Sequence, residues 1–398
     1  MKINEDRLTK ETKKIEHVLG HKQFKRGYEN EFQNVSAYDQ ILYSIGATPT
    51  YAAENVFTTQ QVDYINRMMD RGLHEVCAFY NQHRDVVQNG LRSFESALRS
   101  DNVLEMTPTY QLQNISLKTF KELLLEYYSQ YGNQIYKIIK KYVDEGRIEL
   151  GDSLDPSASG IYFGSNITKS GYITIHKNKK LSLYTLSVLV HELGHAIDFE
   201  TLHYPQQKNI NLFSDSLIEV PSYHFELGFL DFLIKNNIHP KDAHALITSM
   251  YQELSYFGKA YDALYNMDDF FIEDGGYVTN LEGQFVDYEG KPIMDEENDC
   301  EDEEECGCDS SIRKMDATEV LKYGLGMYIA TQTNELASQD RQAYIKDLLR
   351  FTTLRKEASF IESLETLGIS QEQFESGSII EPRVKDELVY TRKMWKFK

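Results

Sequence analysis

The sequence predicts a mainly α protein, one large helical unit with a small β-sheet set into it, and three observations predict it. Apolar residues return every three or four positions over Thr58–Val87, Leu117–Glu145 and Asp242–Asn266, the period of an amphipathic helix. Gly160–His176 is instead rich in β-branched and aromatic residues and bounded by glycine and asparagine, which reads as two short strands. No repeat and no proline-rich linker divides the chain, which has 8 prolines in 398 residues.

Between the strands and the third periodic segment, a long helix is expected to begin near Ser182. It should carry Leu183, Leu186, Leu189 and Val190 inward before reaching His191. A second helix should start after Ser214 or Asp215, either able to cap it, and run through Glu219 and Glu226 to about Asn236. Pro221 requires that helix to start close upstream or to kink. Gly275–Met294 reads as a surface hairpin leading into an acidic, cysteine-bearing loop at about 294–311, and Asp316–Lys398 reads as further helices. The organisation expected is an N-terminal helical region, 1–110, packed on one continuous region, 111–398.

Composition narrows the partners. Lysine and arginine number 42 against 62 aspartates and glutamates, a formal charge of -20 that repels phosphate backbones and anionic lipid heads, so neither nucleic acid nor membrane is an expected partner. Ten of the acids lie between Asp295 and Asp309, so the charge says little about any active site. Residues 1–14 lack the basic start and apolar run of a secretory signal, and no segment approaches the ~20 apolar residues of a membrane span. Of four cysteines, Cys300, Cys306 and Cys308 sit in the acidic run, at a spacing that fits no standard metal site; a disulfide framework is not expected, and a reducing cytoplasm is.

The chemistry is concentrated in His191-Glu192-Leu193-Gly194-His195. On a helix, imidazoles four residues apart share one face one turn apart and can reach one metal ion. The glutamate after the first histidine can accept a proton from a water on that metal and pass it to a departing amine, and zinc makes hydroxide available near neutrality. Apolar residues on both sides of the motif bury this face, where two uncoordinated imidazoles would be unfavourable. A catalytic zinc takes three protein ligands and keeps one position open, so a third donor is needed from another element. Glu219, 24 residues beyond His195 and behind an apolar lead-in, is the best candidate. Ser222 and Glu226, one and two turns further on, and Asp198, three residues past His195, are placed to orient the ligands.

These residues resemble the oligopeptidase F and thimet oligopeptidase family of zinc peptidases. The zinc helix His191-Glu192-Leu193-Gly194-His195-Ala196 is similar to that family's own, including its glycine, and Glu219 to Glu226 resembles its segment with Glu, Ser and Glu at positions 1, 4 and 8. Ser159–Tyr162 and Gly171–His176 look like its edge strand beside the substrate cleft. The resemblance extends from about Gly27 to beyond Tyr328 and corresponds to the catalytic half of a full-length member, with roughly the first third of the family pattern absent.

The resemblance implies a helical zincin-type metallopeptidase catalytic domain with a small sheet edging the active-site cleft, one Zn2+ per chain, and short peptides as substrates. It implies that the strand ending near His176 pairs with the peptide backbone. It also implies oxyanion donors from the segment containing Tyr323 and Tyr328, although the tyrosine spacing departs from the family's and no histidine follows His244. The leading expectation is therefore a metalloendopeptidase with His191, His195 and Glu219 as ligands and Glu192 activating a zinc-bound water. The alternatives are a peptide-binding protein on the same scaffold and a zinc aminopeptidase.

Overall fold

The structure is a computed structural model, and it describes residues 1–4, 6–7, 9–11, 59–99, 113–151, 159–165, 170–176, 181–202, 216–267, 271–272, 277–280, 284–293, 314–316, 319–355 and 358–394. The acidic loop with its three cysteines and the capping candidates Ser214 and Asp215 lie outside these residues.

The fold is mainly α, as expected. Helix α1 (Thr59–Arg99) is followed by α2 (Leu117–Ser129) and α3 (Asn133–Asp144), and then by strands β1 (Ile148–Gly151), β2 (Gly160–Ser165) and β3 (Ser170–His176). Next come α4 (Leu183–Leu202), α5 (Glu219–Lys235) and α6 (Pro240–Asn266), with the short strands β4 (Phe271–Ile272) and β5 (Val278–Thr279) behind them. A π-helical turn, Glu319–Gly324, opens directly into α7 (Leu325–Ala337), and α8 (Arg341–Leu354), α9 (Phe360–Thr366), α10 (Gln371–Ser376) and α11 (Glu381–Met394) complete the chain.

The periodic stretch Leu117–Glu145 is two helices, not one. The break falls at Gly132, whose φ of +85° is a conformation that side chains other than glycine rarely adopt. Ser116 caps α2 by accepting from the Thr119 amide at 3.1 Å, and Ser182 caps α4 by accepting from Thr185 at 3.3 Å. Helix α5 opens at Glu219, so Pro221 falls in its first turn, where no intrahelical partner awaits its missing N–H and no kink is needed. The hairpin expected before residue 294 is present in the described part, where Val278 and Val286 bond through their backbones and Val286 bridges Pro292.

The main sheet has the order β1-β3-β2, with β1 parallel and β2 antiparallel to β3. β1 escaped the sequence reading because four residues are too short to show a period. β3 is therefore the central strand, flanked on both sides. This corrects the expectation that the strand ending at His176 pairs with a peptide: its hydrogen-bonding edges are already taken, and among the described residues β2 is the edge strand next to α4.

One apolar core joins α1 to everything downstream, from Val76 and Phe94 through Leu189 and Val190 to Val384. Helices α4 and α5, and α5 and α7, make the most extensive helix pairs, so α5 is clamped between two neighbours. No helix among the described residues is long and apolar enough to cross a membrane.

Candidate metal centre

Helix α4 is apolar on nearly every side. Leu183, Leu186, Leu189, Val190, Leu193, Ala196 and Ile197 are all buried, and this seats His191 and Glu192 in the interior with His195 beside them. The i, i+4 spacing brings the two imidazoles to one face, with centroids 5.1 Å apart and planes at 78°. Glu219, the first residue of α5, projects between them. Its Oε2 lies 3.3 Å from His191 Nε2 and 3.2 Å from His195 Nε2.

Two glycines make this convergence possible. A Cβ at Gly194 would sit 2.5 Å from the Ser222 Cα and 3.0 Å from its amide nitrogen, so α4 and α5 touch backbone to backbone. A Cβ at Gly326 of α7 would sit 2.5 Å from the Glu219 Cβ, so α7 packs directly on the glutamate. A third, Gly160 of β2, lies where a Cβ would meet Val188 at 2.6 Å and the Glu192 Cγ at 3.1 Å, which brings this outer strand of the described sheet down onto Glu192.

Glu226, two turns along α5 from Glu219, accepts from Ser187 Oγ at 2.6 Å through one oxygen and faces His191 Nδ1 at 3.0 Å through the other. That contact holds the Nδ1–H tautomer and leaves the Nε2 lone pair for a metal. Tyr162 of β2 stacks near His195, with centroids 6.4 Å apart and planes at 20°.

The electrostatics are those of a carboxylate among imidazoles. Burial alone would raise the Glu219 carboxyl, but His195 and His191 hold it well below the usual carboxylate range. Burial opposes the His191 imidazolium, yet Glu219 and Glu226 raise its pKa well above the ordinary value. Burial raises the Glu192 carboxyl, with His191 and His195 offsetting part of the rise.

His191, His195 and Glu219 offer one ligand atom each within 4.8 Å of one another, a group able to hold a metal ion. Two imidazole nitrogens and one carboxylate oxygen are the donor set of catalytic zinc. Glu219 Oε2 is also buried and makes no hydrogen bond of sound geometry despite its closeness to both Nε2 atoms, as a ligand atom should be without its ion. The residues fit such an ion.

Other site candidates are placed differently. Tyr328 is not brought to the centre: it is fully buried, its hydroxyl donates to the Phe374 carbonyl at 2.6 Å, and its ring packs on Phe94 and Phe374. Tyr323 is half-buried in the π-helical turn, its ring 6.5 Å from that of Tyr223. Asp198 holds no imidazole; Arg355 binds both of its oxygens, at 2.5 and 2.7 Å, in the core. Ser222 Oγ is buried without a hydrogen bond, so Ser222 acts here through its backbone contact with Gly194. The sequence reading missed Tyr223 and Ser187. Both had a usable signal, each lying one turn from a ligand, at i+4 from Glu219 and i−4 from His191; Tyr162 was placed on the strand beside the cleft but not against a ligand.

No protein-family model matches this chain, and no curated protein matches it in sequence. Among solved structures, a chain provisionally named oligoendopeptidase F is similar with a TM-score of 0.53 at 13% identity, over 92% of this chain and 66% of that one. PZ peptidase A, solved with an inhibitor, gives 0.50 at 13% identity over 79% and 59%. A provisionally named oligoendopeptidase F from Bacillus anthracis str. Ames gives 0.47 at 14% identity over 95% and 61%. The chain thus spans roughly three fifths of the length of the solved chains it matches. It has the fold of the first two.

Proposed function

We propose, from the fold shared with those peptidases, that this chain is a zinc-dependent endopeptidase of short unstructured peptides. His191, His195 and Glu219 hold one zinc ion, and Glu192 is the general base. The observation that carries the reading is the convergence of three buried or half-buried ligand atoms, one each from His191, His195 and Glu219, within 4.8 Å of one another, with the Glu219 oxygen 3.3 and 3.2 Å from the two imidazole nitrogens.

When bound, the zinc ion supplies the Lewis acidity that polarises a scissile carbonyl and makes a neighbouring water more acidic. Glu192 takes the proton of the attacking water and delivers it to the departing amine. Its burial favours this role, since a carboxyl whose pKa is raised is a stronger proton acceptor. Glu226 and Ser187 keep His191 in one tautomer and one orientation. The outer edge of β2 supplies main-chain groups for an extended peptide beside Glu192, which suits unstructured substrates and little sequence selection. Tyr323 is a candidate donor to the carbonyl oxygen from the π-helical turn. In this reading, residues 111–398 form the catalytic region, 1–110 pack on it, and the protein works in the cytoplasm.

The test is metal analysis of the purified protein together with a quenched peptide blocked at both ends. Internal cleavage with about one zinc per chain supports the reading. Cleavage only of free N-termini indicates an aminopeptidase, and tight binding without cleavage indicates a peptide-binding protein. Glu192→Gln should lower turnover by roughly 10²- to 10⁴-fold with zinc content unchanged. Undiminished turnover in that variant removes Glu192 from the chemistry.

A further inference from the structure

Helix α4 opens to solvent along one line. From Leu183 to Phe199 every residue is buried except Tyr184, which is 44% exposed, and Val188 and His195, which are half-buried. At 3.6 residues per turn, positions 184, 188, 191 and 195 fall within roughly 60° of one another, so the stripe that carries both ligand histidines runs on to Tyr184. Both sides of the stripe are walled. On one, β2 comes down with Gly160 against Val188 and Glu192. On the other lies α5, with Glu226 on Ser187 and the Ser222 backbone on Gly194. The result is a trough with the two histidines and Tyr184 along its floor.

A single exposed aromatic is ordinary on a protein surface. Tyr184 is set apart by its register with the ligands and by being tied down: its hydroxyl lies 2.8 Å from Ser159 Oγ, at the entry to β2. The side chain is thus fixed at its backbone and at its far end, and less ordering is left for a bound group to impose. Tyr256, comparably exposed at 40%, instead packs on Tyr288, away from α4.

Seven residues separate Tyr184 from His191, about 10 Å along the helix axis. An extended peptide advances about 3.3 Å per residue. A peptide on the outer edge of β2, with its scissile carbonyl at the ligand cluster, therefore reaches Tyr184 about three residues from the cut. We infer that Tyr184 is a specificity-determining residue, its ring forming the floor of a subsite for an aromatic or large aliphatic side chain at that distance. This rests on the peptidase reading above. An uncharged ring next to Val188 suits such a side chain, and it selects among peptides whose main-chain pairing with β2 is indifferent to sequence.

The test uses quenched peptides blocked at both ends, each with one Phe in a background of Ala, Gly and Ser, the Phe moved one position at a time. The zinc-loaded full chain digests them, and mass spectrometry identifies the bond cut. The cut should track the Phe at two to four residues, with kcat/KM roughly tenfold above that of the peptide with Ala at that place. Tyr184→Ala should bring this ratio to within about twofold of one, with zinc content and melting temperature matching wild type. Tyr184→Phe, which keeps the ring and loses the Ser159 bond, should keep at least about a third of the ratio, and Tyr256→Ala should keep all of it. A wild-type ratio in Tyr184→Ala overturns the inference, including the case where both peptides lose rate equally, the mark of a structural role. A ratio lost equally in Tyr256→Ala also overturns it. Active wild type with no preference for Phe at two to four residues removes the subsite alone, whereas zinc-loaded wild type that cuts none of the peptides removes the peptidase reading and the subsite with it.

Discussion

Gly194→Ala probes the geometry on which the metal centre depends. The added methyl would lie 2.5 Å from the Ser222 Cα, 3.0 Å from its nitrogen and 3.2 Å from the Pro221 carbonyl oxygen. All three are backbone atoms, so no rotamer change relieves the clash, and α4 and α5 must part by about 1 Å to reach ordinary contact. Overpacking of this kind destabilises by about 1–3 kcal/mol, against which the better helix propensity of alanine returns about 0.5–1 kcal/mol. Glu219 is three residues before Ser222 and moves with it, and zinc tolerates ligand displacements of only about 0.2 Å. The expected result is a net loss of about 1–2 kcal/mol in urea denaturation of the metal-free protein. With it should come a zinc affinity lowered at least roughly tenfold in competition with a chromophoric chelator. Gly258→Ala in α6 is the control: its methyl would meet nothing closer than 3.9 Å, so the same substitution should stabilise by about 0.5–1 kcal/mol and leave zinc binding alone. If Gly194→Ala instead behaves like Gly258→Ala in both assays, the backbone contact does not set the ligand geometry.

Two further predictions concern the core around the site. Asp198→Asn leaves the Arg355 guanidinium buried without its carboxylate and should destabilise by about 3–5 kcal/mol in urea, with zinc affinity changed little; lost zinc affinity at full stability would return Asp198 to the metal centre. His224, fully buried, has its pKa lowered to about 3 by burial and then by Arg341, with Nδ1 on Thr333 Oγ1 and the ring stacked on Tyr344. The unfolded chain takes up this proton near pH 6.5 and the folded one does not, so the stabilisation is complete above about 6.5 and is lost as pH falls toward about 3. Between pH 7 and 5 it should amount to about 2 kcal/mol of urea-measured stability, absent from His224→Phe; parallel pH profiles for the two proteins would refute it.

How much of this was legible beforehand follows from how local each signal is. The His191 and His195 pair, the Ser182 cap and the inward face of α4 could be read directly, because a helix turns i, i+4 spacing into proximity without outside help. Glu219 could be named as the third donor from its apolar lead-in, but that it points between the two imidazoles depends on Gly194 and Gly326 letting three helices close on one another. Asp198 shows the limit. From its spacing it could orient an imidazole, and it instead neutralises Arg355, 157 residues away. Among 27 tyrosines, sequence order favoured Tyr323 and Tyr328, whereas packing sealed Tyr328 against Phe374 and set Tyr223 beside His191.

The sequence by itself therefore determined the helical class of the chain and the spacing of its histidine pair, since both arise within a few turns of one helix. Only the tertiary structure decided the sheet order, the partner of Asp198 and the tyrosine at the centre. Those depend on which distant surfaces meet, and a side chain's partner across such a contact leaves no period in the chain that carries it.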